Sequence, residues 1–234
     1  ITLNLINGIQ LLDGDNNIIS KNTISENNEE AIMIIGYDSN NNKIYYNNII
    51  NDNALDNGNN QWDNGDLGGN YWSYYTGADE NNDGFGDEPY LIPGDDNTDR
   101  YPLMNQLYPP STPQSPSGPT IGVVGNMYAF KTQTTCSHKV QYGWDFDNDF
   151  TVDTWTPFYE SGQICTINHS WQGNGTFHIR VKAMDNYGFQ SDWSDPLTVT
   201  MPKQTRITQQ LLHNHPIISK IFSILVDFFK ISNY

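Results

Sequence analysis

The sequence predicts an all-β protein in two parts, a partial parallel β-helix followed by a β-sandwich, with a short C-terminal helix. Three observations predict this. An Asn- and Ile-rich segment repeats at a period of 25 residues near the N-terminus. Residues 121–202 alternate apolar and polar side chains at period 2. Only 16% of residues are charged, and the polarity comes from Asn, Asp, Ser, Thr and Gly, which favour turns and strands over helices. Aromatic residues make up 13% of the chain, which argues against disorder.

The 234 residues allow one or two domains. Eleven Lys and Arg face 27 Asp and Glu, giving a formal charge of -16. Such a chain has no basic patch to follow a phosphate backbone, so nucleic-acid binding is excluded. A polybasic membrane anchor is disfavoured for the same reason. A mean hydropathy of -0.61 excludes a polytopic membrane protein. Ile1 is not an initiator residue, so the chain is expected either to have been cut or to start mid-gene.

Residues 1–107 form the first part. Asn16–Asn27 (NNIISKNTISEN) aligns with Asn41–Asp52 (NNKIYYNNIIND), matching Ile19 with Ile44, Asn22 with Asn47 and Ile24 with Ile49. Gly8–Leu11 likewise matches Ala31–Ile34. A period of 20–50 residues points to a solenoid. Ile would stack inward, and Asn would stack at the turns in hydrogen-bonded ladders. Plain Asn-rich low complexity is the alternative, but the apolar positions keep register across both copies.

Residues 108–120 (YPPSTPQSPSGPT) read as an extended linker. In 121–202, Tyr128, Phe130, Thr132 and Thr134 share one strand face. Val140, Tyr142 and Trp144 share a second, and Phe177, Ile179, Val181 and Ala183 a third. Short strands of this kind between Gly turns are a sandwich signature. Residues 203–234 read as helix, because Leu211, Leu212, Ile218, Phe222, Leu225 and Phe229 recur at helical spacing. Pro216 suits its first turn. The stretch 217–231 is too short, and too interrupted by Lys220 and Asp227, to span a membrane.

Beyond the repeat, the first part contains Gly68-Gly69-Asn70-Tyr71-Trp72-Ser73, Gly77-Ala78-Asp79, Asp83-Gly84-Phe85-Gly86-Asp87-Glu88-Pro89-Tyr90 and Asp99-Arg100-Tyr101-Pro102-Leu103-Met104. With these, about residues 1–104 resemble the C-terminal end of a NosD-type (PbH1-repeat) right-handed parallel β-helix of archaeal surface proteins. Only about two coils are present, whereas a solenoid core needs roughly three or more. The second part carries Tyr142-Gly143-Trp144-Asp145-Phe146-Asp147, His169-Ser170-Trp171, Gly175–Ala183 and Asp185-Asn186-Tyr187-Gly188. It resembles an immunoglobulin-like PKD (polycystic kidney disease repeat) β-sandwich. The tail resembles the Leu/Phe-rich helices that follow PKD modules in some archaeal exported proteins.

The strongest site signal is Asp79-x-Asn81-x-Asp83-Gly84-Phe85-Gly86-Asp87. Side-chain oxygens at positions 1, 3 and 5, a Gly at 6 and the Phe85 carbonyl at 7 match the first half of a calcium loop, with Asp87 at position 9. Tyr90 replaces the Glu of position 12, so the loop alone offers about five of the six to eight oxygens that Ca²⁺ takes. A solvated acidic turn is the alternative. The second cluster is Asp145, Asp147, Asp149 and Asp153, with Phe150 where the loop wants Gly. Like charges this dense repel unless a cation or water relieves them. Calcium is the expected cofactor at both.

No catalytic constellation stands out. Glu26, Glu29, Glu30 and Asp38 read as solvated turn residues, with no basic clamp for a sugar acid. There is no G-x-S-x-G, and neither cysteine reads as paired with a histidine base. His169 and His178 fall in strands and read as packing residues rather than ligands, and His213-x-His215 does not share a helix face. Copper would want clustered Met, His or Cys, but Met33 and Met104 are isolated. Asn168-His169-Ser170 and Asn174-Gly175-Thr176 are glycosylation sequons for an exported protein. The PKD resemblance implies neighbouring strands for Cys136 and Cys165 and hence a disulfide, with two thiols as the alternative. The whole reads as a non-catalytic, exported or cell-surface module for adhesion to glycans or proteins. The enzyme alternative makes the chain the accessory end of a polysaccharide lyase or epimerase whose active site lies upstream.

Overall fold

A computed structural model describes residues 1–36, 39–203 and 220. Their contacts divide them into two compact units.

The first unit holds Ile1–Ser111, Thr135–Gln141 and Met184–Ser191. Seven short strands come from the repeat region: β1 (Ile9–Leu12), β2 (Ile18–Ser20), β3 (Thr23–Ser25), β4 (Ile32–Ile35), β5 (Lys43–Tyr45), β6 (Asn48–Ile50) and β7 (Ala54–Asp56). With β8 (Tyr71–Trp72) they form three parallel ladders, ordered β1-β4-β7, β2-β5 and β3-β6-β8. The register places Ile9 opposite Ile32, Ile19 opposite Ile44 and Ile24 opposite Ile49, the pairs that the repeat aligns. Ile24, Ile32, Ile34, Ile44 and Ile49 are fully buried together with Trp62 and Trp72. Each such aliphatic side chain contributes about 1.5–3 kcal/mol on burial.

The corners explain the period. Asn16, Lys21 and Glu26 adopt left-handed backbone, and so do their repeat mates Asn41, Tyr46 and Asn51. Each precedes a residue whose side chain stacks on the coil below. Asn22 Nδ2 donates to Asn47 Oδ1 (3.0 Å), and Asn47 Nδ2 to Asn70 Oδ1 (2.9 Å). The Asn70 amide nitrogen then donates to Asp99 Oδ2 (2.7 Å). A second ladder runs Asn17, Asn42, Asn60, and a third Asn4, Asn27, Asp52.

These parallel ladders stay short and open. None has more than three strands, and they neither close nor continue as a solenoid. This corrects the partial right-handed parallel β-helix expected from the repeat. The physical reason is that two copies of a coil supply only two or three rungs, which is below what a self-supporting stack needs. Every strand among the described residues lies before residue 203, and Lys220 has helical backbone. The expected C-terminal helix, residues 203–234, lies outside the described residues apart from 203 and 220.

After β8 the chain turns antiparallel, with β9 (Tyr90–Leu91) paired to β10 (Thr98–Asp99). Tyr90 stacks on Trp72 at 4.2 Å. Arg100 grips the buried Asp63 carboxylate with two hydrogen bonds, Nε to Oδ2 at 2.8 Å and Nη2 to Oδ1 at 2.7 Å. Burial pushes the Asp63 carboxyl up, but the Arg100 guanidinium and the Gly65 amide outweigh it and hold the group below its ordinary range.

The second unit holds Thr112–Thr134, Tyr142–Ala183 and the described residues from Asp192 on. Its strands are β11 (Tyr128–Thr132), β12 (Val140–Asp145), β13 (Thr154–Trp155), β14 (Cys165–His169), β15 (Gly175–Asp185) and β16 (Leu197–Met201). β11 pairs antiparallel with β14, and a four-stranded sheet runs β13-β12-β15-β16. The inward alternation is as the sequence reads. Phe130, Tyr142, Trp144, Ile179 and Val181 are fully buried. Trp171 joins the two sheets, meeting Phe130 of β11 edge-on at 5.8 Å and Phe177 of β15 face-on at 5.0 Å. Residues 114–117 run along β11, with Ser117 and Lys131 exchanging backbone hydrogen bonds. No helix among the described residues is long and apolar enough to cross a membrane.

Candidate functional site

Both acidic loops have one backbone design. In the first, Asp79 Oδ2 accepts from the Gly84 amide (3.0 Å) and Asp83 Oδ1 from the Phe85 amide (2.9 Å). Asp87 Oδ2 accepts from the Glu80 amide (2.7 Å), and the Asp87 amide donates to the Ala78 carbonyl (2.9 Å). In the second, Asp145 Oδ2 accepts from the Phe150 amide (2.9 Å) and Asp149 Oδ1 from the Thr151 amide (2.7 Å). Asp153 Oδ2 accepts from the Phe146 amide (2.7 Å), and the Asp153 amide donates to the Trp144 carbonyl (2.8 Å). Counted from Asp79 and Asp145 as position 1, these are the same four bonds.

The dihedral angles agree. Position 4 is left-handed in both loops, at Asn82 (φ 58°) and Asn148 (φ 66°). So is position 6, at Gly84 (φ 93°) and Phe150 (φ 64°). The Phe at position 6 therefore adopts the conformation for which a calcium loop uses Gly. Its ring stays outside, 55% exposed, under the Arg180 guanidinium at 5.1 Å.

Ligand gathering differs between the loops. Asp145, Asp147 and Asp149 bring one carboxylate oxygen each within 4.8 Å of one another. Among the described residues, Asp79, Asp83 and Asp87 form no such group of three. Asn81 instead takes the middle position, its Oδ1 accepting from the Asp83 amide at 2.8 Å. Desolvation, followed by the charges of Asp149, Asp153 and Asp145, pushes the Asp147 carboxyl up. The Thr151 hydroxyl and amide hold Asp149 below its ordinary value. A cation would relieve the crowding at Asp147. The loop with the poorer sequence signal is thus the one with three converging carboxylates.

The cysteine bridge needs correction. Cys136 and Cys165 are both thiols in the structure. Thr132, not Cys136, is the register partner of Cys165 across β11 and β14, and Cys136 lies four residues past that strand's end. Cys165 is buried against Tyr159, Trp144 and Thr156, and burial pushes its thiol up. Cys136 lies beside His138 and Asp185. The reading of neither cysteine beside a histidine is therefore also corrected, and the signal, Cys136-Ser137-His138, was in the sequence.

The remaining sequence-derived positions are quickly placed. Asn168 and Asn174 are both exposed. His169 packs as expected, stacked on Phe146 at 3.7 Å, and burial lowers its basicity. His178, read as a packing residue, is instead exposed on the outward face of β15, with Nδ1 3.1 Å from the Thr198 hydroxyl.

No curated protein matches the chain. Among solved structures, it is similar to the PKD domain of an M14-like peptidase from Thermoplasmatales archaeon SCGC AB-540-F20, at 33% identity over 42% of this chain and 99% of that one, with a TM-score of 0.38. It is more distantly similar to the CARDB domain of PF1109 from Pyrococcus furiosus, at 8% identity over 39% and 96% of the two chains, TM-score 0.28. A superoxide reductase (neelaredoxin) from Ignicoccus hospitalis shows 6% identity over 39% and 82%, TM-score 0.26. The family model of the PKD domain matches residues 113–195, a stretch that includes the buried Trp144, the Asp145 loop and the Asp185-Asn186-Tyr187-Gly188 turn. By that match, residues 113–195 of the chain are a PKD domain.

Proposed function

We propose that the chain works outside the cell as a non-catalytic contact module that binds carbohydrate or protein at a cell surface, and that calcium fixes its two acidic loops. The observation that carries the contact role is the PKD domain, since PKD domains are typically extracellular, adhesion-like and generally non-catalytic. Calcium rests on the twin loop geometry. Hard oxygen donors at positions 1, 3, 5 and 9 around two left-handed corners suit a cation of this size.

Calorimetry with Ca²⁺ tests the metal. A Kd on the order of 10⁻⁴–10⁻³ M is expected, as in extracellular modules. Calcium at about 100 times Kd should then stabilise the fold by about 2.7 kcal/mol. Asp149→Asn should remove one binding event and Asp83→Asn the other. No calcium heat, with melting indifferent to EDTA, would refute the calcium role. The contact role is tested by presenting the chain to a glycan array and to surface-protein extracts in calcium. Failure to retain any sugar or protein would overturn it.

A further inference from the structure

We propose that Cys136, His138 and Asp185 form a binding site for a zinc-type divalent transition metal, separate from the acidic loops. Cys136 and His138 stand just before β12, and Asp185 ends β15, its neighbour in the sheet. All three lie in segments of the first compact unit. The thiol sulfur, a ring nitrogen and a carboxylate oxygen lie within 4.8 Å of one another.

A second observation points to a ligand there. The Asp185 side chain is completely buried, yet its Oδ2 has no hydrogen-bond partner. The facing His138 Nδ1 has none either, and the two atoms stand 3.9 Å apart, beyond hydrogen-bond reach. Leaving such a group unsatisfied costs about 1–3 kcal/mol, more when it is charged. A buried carboxylate oxygen and an imidazole nitrogen that face each other at 3.9 Å, each without a hydrogen-bond partner, leave room for an ion between them.

The surroundings hold both groups in place. The other oxygen, Oδ1, accepts the amides of Tyr187 (3.0 Å) and Phe189 (2.8 Å), which fixes the direction of Oδ2. The Tyr187 ring meets the imidazole edge-on at 4.8 Å. Outer contacts of this kind orient metal ligands. A tetrahedral ion with N and O ligands at about 2.0–2.2 Å holds those atoms about 3.3–3.6 Å apart, so the observed spacing needs only a small contraction.

The donor set selects the ion. Thiolate, imidazole and carboxylate together suit Zn²⁺ or Co²⁺, whereas Ca²⁺ and Mg²⁺ take oxygen alone. The thiol yields its proton to solvent when the metal binds. Three protein ligands leave a fourth position for water. His138 also lines an open depression with Ser137, Tyr71 and Tyr108, which gives that position a route to solvent.

The test is Co²⁺ titration of the reduced full chain, with Ca²⁺ in excess to occupy the oxygen loops. The expected result is a near-ultraviolet thiolate-to-cobalt band with visible tetrahedral bands, both displaced by Zn²⁺. Cys136→Ser should abolish the thiolate band, and Cys165→Ser should leave it. His138→Ala and Asp185→Asn should each weaken Zn²⁺ binding by at least about tenfold. No thiolate band in the wild-type chain, or one that survives Cys136→Ser, overturns the site. Should Asp185→Asn not fold, the cysteine and histidine variants decide alone.

Discussion

Asp99 ends the side-chain ladder of Asn22, Asn47 and Asn70 and is completely buried. Its carboxylate accepts from the Asn70 amide, the Trp72 indole and the Tyr101 amide, at 2.7, 2.8 and 3.2 Å. Gly69 is required beside it, because a Cβ there would stand 1.7 Å from Asp99 Oδ1. Burial outweighs these donors and pushes the Asp99 carboxyl up to about 7. A carboxyl raised on folding binds its proton more tightly in the native state than in the unfolded one. Its contribution is therefore fully present below about pH 4, and is lost as pH rises through about 7. Native stability should fall across that window, by up to about 1.4 kcal/mol per pH unit from this group. Asp99→Asn should start less stable and lose this slope. Melting curves from pH 4 to 8 on both proteins check it, and parallel slopes would show that Asp99 does not titrate there. Asn22 over Asn47 was legible in the sequence because the repeat puts them in register. Asp99 was not, because it lies 29 residues beyond Asn70, outside any copy of the repeat.

At the scale of elements, the left-handed corners matter most. An ordinary L-residue in that conformation costs about 1–2 kcal/mol, and Asn tolerates it better than most. The third corner of the repeat uses Asn51 in one copy and exposed Glu26 in the other. Glu26→Asn should therefore raise stability by about 0.5–1 kcal/mol, read from the urea midpoint at unchanged slope. A lower midpoint would mean that Glu26 makes an interaction worth more than the strain. The strands themselves were readable from Ile register in the first unit and from period 2 in the second. What local pattern could not show is how few rungs would form, since that depends on the number of copies. The twin loops were half legible. Aspartate spacing revealed both, but Phe150 hid the left-handed turn that its neighbours impose.

Taken as a whole, the first unit is unevenly protected. Leu3, Leu5, Leu12 and Ile18 are exposed along its first rungs, while Ile44, Ile49, Trp62 and Trp72 further along are buried. Local opening follows buried apolar contact. Amides of β1 and β2 should thus exchange with solvent faster than those of β6, and hydrogen exchange followed residue by residue measures the difference. Equal protection across the three ladders would mean that the unit opens only as one body. Strand type and the second unit's inward faces could be read from spacing. The gathering of residues 135–141 and 184–191 into the first unit could not, because no local period reports contacts between distant segments.

The ladder also constrains how such a chain can lengthen by gene duplication. Each Asn oxygen accepts from the next side chain and the next backbone amide, as Asn47 Oδ1 does from Asn22, while its own amide hands donors onward. A copied coil slipped in above Asp99 finds a mate for every group on both sides. A coil appended past Asp99 does not, because both Asp99 oxygens already accept, from Asn70, Trp72 and Tyr101, and the side chain has no amide to hand donors onward. Along this ladder the stack is consequently one-ended, free to gain cassettes on the Asn22 side and stopped at Asp99 on the other.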